Sequence, residues 1–146
     1  MAEQRFILIV EDNPGDVRLM REALRDMKPP VKLESFGDAE SALAYLQNAA
    51  NPMPSLILLD FNLPRTGSRE MLRILKSDDR LRLIPVAVLT TSDADRDIRE
   101  AYELHANCYL RKPVDLDGFF STIRTAANFW LSVACTISTI QNSSDT

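Results

Sequence analysis

Residues 56–64 read Leu-Ile-Leu-Leu-Asp-Phe-Asn-Leu-Pro. The first four are apolar without a polar break, the signature of a strand covered on both faces, and Asp60 stands where such a strand runs out. Two further runs share this character, within Phe6 to Val10 and Val86 to Leu89. Val31 to Phe36, VKLESF, alternates polar and apolar residues as an edge strand does, and Cys108 to Leu110 gives a short fifth strand.

Helical spacing fills the intervals. Val17, Met20, Leu24 and Met27 follow Asn13 and Pro14, a cap and a first-turn proline. Ala39, Ala42, Leu43 and Leu46 follow Asp38, while Met71, Ile74 and Leu75 make a third helix. Ile98, Ala101 and Tyr102 make a fourth, opened by Asp93, Asp95 and Asp97, whose charge suits a helix N-terminus. A long last helix is expected from Asp115, with Leu116, Phe119, Phe120, Ile123, Ala127, Trp130, Leu131 and Ala134 on one stripe. The expected fold is an α/β, (βα)5 doubly wound parallel sheet, flavodoxin-like, whose ligand site lies at the carboxyl ends of the strands.

The chain has 146 residues, 45% hydrophobic and 26% charged, which fits one globular domain with a real core. Its 17 basic and 21 acidic residues give a net charge of −4, so the surface repels phosphate backbones and no nucleic-acid partner is expected. Ser, Thr, Asn and Gln interrupt the long uncharged stretch from Thr125 to Ser144, and the N-terminal apolar run is short and followed by two acids. Neither a membrane span nor a signal peptide is expected. Cys108 and Cys135 have no CxxC spacing and His105 is the sole histidine, so zinc and disulfide chemistry are not suggested and a cytoplasmic location is expected.

The chemistry collects at the strand ends. Glu11 and Asp12 follow the first strand, Asp60 ends the third, Thr90 and Thr91 end the fourth, and Lys112 follows the fifth. Three converging carboxylates repel one another unless a cation compensates, and all-oxygen donors select Mg2+, with Mn2+ as a substitute. A carboxylate beside that ion can attack a phosphoryl group while an ammonium and a hydroxyl steady the transferred oxygens. Asp60, Lys112 and Thr90 supply those functions.

Through ILIVEDN, LILLDFNLP, VLTTSD and YLRKP, the chain resembles the response-regulator receiver (CheY-like) family over roughly residues 5 to 130. VEDNPGDV, LPR, VLTTS and NCYLRKPVDLDGF extend the resemblance to the small stand-alone receivers of cyanobacterial and bacterial phytochrome systems. It implies the strand order 2-1-3-4-5, Asp60 as phosphoacceptor, Asp12 as direct metal ligand, Glu11 acting through a metal-bound water, and Asn62 offering its backbone carbonyl. It also implies Thr90 and Tyr109 as the switch pair, Lys112 as the phosphate-contacting lysine, and a cis Lys112–Pro113 bond. The function implied is a phosphorylation switch, not an enzyme beyond slow loss of its own phosphoryl group, served by a sensor histidine kinase, with an unknown downstream protein as target. The output would be a remodelled surface of the fourth helix, fifth strand and fifth helix.

The acid pair is Glu-Asp where many receivers have Asp-Asp, and Ser92, two after Thr90, is small. An aspartyl-phosphate phosphohydrolase of the haloacid-dehalogenase type would need an acid two residues after the nucleophile, where Asn62 stands. Flavin binding would need a phosphate-cradling loop where EDNPGD presents carboxylates. A docking module independent of phosphorylation is the remaining alternative. His105 reads as a helix-end residue in left-handed geometry, and both cysteines read as packed, inert thiols.

Residues 1–130 are expected to form the receiver and 131–146 a helix extension with a frayed tail. From Asp115 to Ile137 an unbroken helix would reach ~33 Å. Phe129, Val133, Ile137 and Ile140 lie off its core stripe and, with Trp130, suggest a homodimer surface. The alternative is a C-terminus folded back on its own domain.

Overall fold

A computed structural model describes residues 5–63 and 67–139. Five parallel strands, β1 (Arg5–Val10), β2 (Val31–Phe36), β3 (Leu56–Asp60), β4 (Val86–Thr90) and β5 (Cys108–Arg111), form one sheet in the order β2-β1-β3-β4-β5. The three uninterrupted apolar runs are the central strands, and VKLESF is an edge.

Strand parity divides the core into two layers. Phe6, Leu8, Val10, Ile57, Leu59, Val86 and Val88 face α2 (Ala39–Gln47), α3 (Gly67–Ser77) and α4 (Asp95–Glu103). Ile7, Ile9, Leu56, Leu58, Ala87 and Leu89 face α1 (Pro14–Leu24) and α5 (Leu116–Asn128). The expected caps form. Asn13 Oδ1 accepts from the Gly15 and Asp16 N–H groups, and Asp38 and Asp115 accept from the Ser41 and Gly118 N–H groups. His105 ends α4 at φ 71°, the left-handed geometry expected of it.

Two expectations fail. The last helix does not reach Ile137: α5 passes into a π-helical turn at Phe129–Val133, and Ala134 is extended at ψ 144°. The residues beyond, Cys135-Thr-Ile-Ser-Thr, are mostly β-branched or hydroxyl-bearing and favour helix weakly. The Arg5 guanidinium donates to Ser132 Oγ, and the Ser55 and Ser138 hydroxyls lie 3.3 Å apart, so the chain turns back onto the sheet's amino end. Cys135 is therefore exposed and outside a helix. Ile140 lies outside the described residues.

The second failure is Lys112–Pro113. The cis bond in the described residues is Lys28–Pro29. Lys112 is aimed instead by its backbone, whose N–H donates to Thr90 O at 2.6 Å in continuation of the β4–β5 ladder. No described helix is long and apolar enough to cross a membrane.

Candidate functional site

Parallel strands all end on one side of the sheet, so the residues just after β1, β3, β4 and β5 meet there. Glu11 and Asp60 are buried at 3% and 2% exposure, while Asp12 is exposed. One oxygen from each of these carboxylates lies within 4.8 Å of the others. Lys112 Nζ sits 2.8 Å from Glu11 Oε1, 3.2 Å from Asp16 Oδ2 and 3.4 Å from Asp60 Oδ2.

Burial pushes the Glu11 carboxyl up to about 7, with the adjoining Asp60 adding to the rise and Lys112 opposing it. For Lys112, burial alone would lower the affinity for its proton, yet the hydrogen bond to Glu11 and the charges of Asp60 and Glu11 raise it above the usual lysine value. The pocket thus holds acids short of positive charge around one fixed ammonium. Its donor set, all carboxylate oxygen, fits a hard divalent cation.

Asp60 itself is held on both sides. Its Oδ1 accepts from the Asn62 N–H at 2.8 Å, and its backbone carbonyl accepts from buried Ser68 Oγ at 2.5 Å. Thr90 is buried, with Oγ1 accepting from the Ser92 N–H at 3.2 Å, and Tyr109 Oη donates to the Ser92 carbonyl at 2.7 Å. The two expected switch residues therefore meet on opposite edges of one residue.

The sequence agrees with a known family along most of its length: the model of the response regulator receiver domain matches residues 7–124. The chain belongs to the response-regulator receiver family.

Among curated receivers, Response regulator Rcp1 of Synechocystis sp. is 41% identical over 131 residues, covering 87% of this chain and 89% of Rcp1. Among solved structures, the phosphorylated cyanobacterial phytochrome response regulator RcpA superposes with a TM-score of 0.87 at 41% identity, covering 92% of this chain and 99% of RcpA. The Mn2+-bound form of Rcp1 gives 0.84 at 40% identity, covering 90% and 98%.

Of the residues expected at the site, Glu11, Asp12, Asp60 and Lys112 meet in one strand-end pocket, Asn62 donates its N–H to Asp60, and Thr90 and Tyr109 meet at Ser92. The residues expected at a dimer surface do not share one helical face. Phe129 and Val133 are 47% and 63% exposed, whereas Trp130 packs into the second core layer and meets Phe129 edge to face at 5.0 Å. Ile137 is half-buried in a separate helical turn, past the break at 134–136 that follows α5 and its π-helical turn.

Sequence reasoning missed Asp16 and understated Ser92. Asp16 sits four residues after Asp12 in the first turn of α1, where an acid reads as a partner of the helix dipole, yet it also contacts Lys112. Ser92, read only as small, donates to Asp97 Oδ2 at 2.6 Å and accepts from the Ala94 N–H, capping α4 where the residue at the cap position, Ala94, offers no side-chain bond. Its offset from Asp97 was the available signal.

Proposed function

We propose that the chain takes a phosphoryl group onto Asp60 from a sensor histidine kinase and passes the signal on through α4, β5 and α5. One observation carries this: the buried Asp60 carboxylate lies among acids suited to a divalent cation, with the Lys112 ammonium 3.4 Å away. An Asp60 oxygen forms the new O–P bond as the donor's N–P bond breaks, and the departing imidazole keeps that electron pair. Mg2+ held by Asp12, Asp60, the Asn62 carbonyl and, through water, Glu11 would supply charge neutralisation for the transferred oxygens, with Mn2+ as a substitute. Lys112 contacts one of those oxygens and the Thr90 hydroxyl turns toward another.

Turning Thr90 inward releases the Ser92 N–H, and the Ser92 carbonyl is the acceptor for Tyr109. The α4 cap and the Tyr109 ring thus respond together, which is the route to the output face. The chain is a phosphoryl acceptor with slow loss of the group, not an enzyme turning over a separate substrate. We assign this function to residues 1–130.

The similarity to RcpA, a cyanobacterial phytochrome response regulator, supports a phytochrome kinase as donor, and we place the exchange in the cytoplasm. Exposed Phe129 and Val133 support a homodimer, which leaves the downstream protein to be found by binding.

The test is intact mass after incubation with Mg2+ and acetyl phosphate. A single phosphoryl adduct is expected on the native chain and none on Asp60→Asn. No adduct on the native chain, with the cation bound, would instead favour a docking module independent of phosphorylation.

A further inference from the structure

Lys112 is shared among three carboxylates, and they are not equivalent. Glu11 and Asp60 belong to the trio of acids whose oxygens converge, whereas Asp16 does not. The side chains of Lys112, Glu11 and Asp60 are 9%, 1% and 3% exposed, while that of Asp16 is 28% exposed. Asp16 therefore approaches the ammonium from the solvent side, on the first turn of α1. Its backbone is fixed there by the N–H bond to Asn13 Oδ1.

A divalent cation and an ammonium that lean on the same oxygens compete for them and repel each other. Glu11 is already divided, with Oε1 at Lys112 and Oε2 accepting from the Asn13 N–H. An anion outside the converging trio gives the ammonium a partner that the cation does not need. We infer that Asp16 is a positioning residue that draws the Lys112 ammonium away from Glu11 and Asp60, letting cation and ammonium occupy the pocket together. This rests on reading Glu11, Asp12 and Asp60 as the cation site.

The experiment is Mn2+ titration by calorimetry on the full chain in four forms: native, Asp16→Asn, Lys112→Met and the double variant. A residue acting through Lys112 has an effect that depends on Lys112. Asp16→Asn is expected to weaken Mn2+ binding about tenfold when Lys112 is present and about twofold or less when Met replaces it. An equal loss in both backgrounds, or no loss in either, would overturn the inference by reducing Asp16 to a distant charge or a bystander. Far-UV circular dichroism confirms each fold, and Asp16→Ser replaces Asp16→Asn if that variant does not fold. A native chain that binds no Mn2+ overturns the inference as well. A native chain that binds Mn2+ yet takes no phosphoryl group sinks only the proposed function.

Discussion

Glu11 carries the sharpest consequence at the scale of one residue. Burial lifts its carboxyl to about 7, so near neutrality the metal-free protein holds a proton there that an unfolded chain has lost. A raised carboxyl contributes stability in full below its ordinary value of 4.5, and that contribution fades as pH climbs through about 7. A divalent cation needs the ionised form and reverses the trend. The gain in melting temperature from Mn2+ is therefore expected to be larger at about pH 8 than at about pH 6. Equal gains at both would contradict the assignment. His105 offers a simpler check, since it is exposed at φ 71°. Replacing it with glycine relieves left-handed strain but gives the unfolded chain more freedom, for a net stabilisation of roughly 0.5–1 kcal/mol by thermal unfolding.

Elements are tied together at the end of the sheet opposite the site, and Lys76 does much of this. Its Nζ donates to Arg82 O at 3.0 Å, Ile84 O at 2.9 Å and Asn107 Oδ1 at 2.9 Å, joining the end of α3 to the entries of β4 and β5. Burial holds its amine down at about 8. Lys76→Met keeps the aliphatic stem but strands these acceptors, and is expected to cost about 1–3 kcal/mol in denaturant unfolding. No measurable loss would mean that water serves them equally well. On the other side, Arg69 of α3 pairs with Glu100 of α4 and lies 3.9 Å from Asp97, the carboxylate that Ser92 contacts. α3 and α4 thus share charges with the loop that follows Thr90.

For the whole molecule, the question is what covers Phe129 and Val133. The π-helical turn leaves both exposed while Trp130 closes the core beneath them. If they form the proposed homodimer surface, Phe129→Asp or Val133→Asp shifts sedimentation toward the monomer with little change in the phosphoryl adduct on Asp60, because both stand apart from the strand-end pocket. Unaltered association in both variants would move the contact elsewhere.

Strand character and the candidate groups at the strand ends were legible in the residue pattern alone. Uninterrupted runs such as LILL suit central strands, and each ends on or beside a candidate residue, so a parallel sheet was enough to expect Glu11, Asp12, Asp60, Thr90 and Lys112 at one end. The folded chain brings carboxylate oxygens of Glu11, Asp12 and Asp60 together beside the Lys112 ammonium. Local signals sufficed at Asn13, Asp38 and His105, because a cap or a left-handed helix end depends on a few neighbouring peptides. Tertiary structure alone decided the partners of long side chains and the fate of the last helix. Asp16 reaches Lys112 across 96 positions and Ser92 meets Tyr109 across 17, distances at which periodicity carries no information. At Val133 the apolar pattern continued but the helix did not, since contacts from Arg5 and Ser55 outweighed a weak local preference.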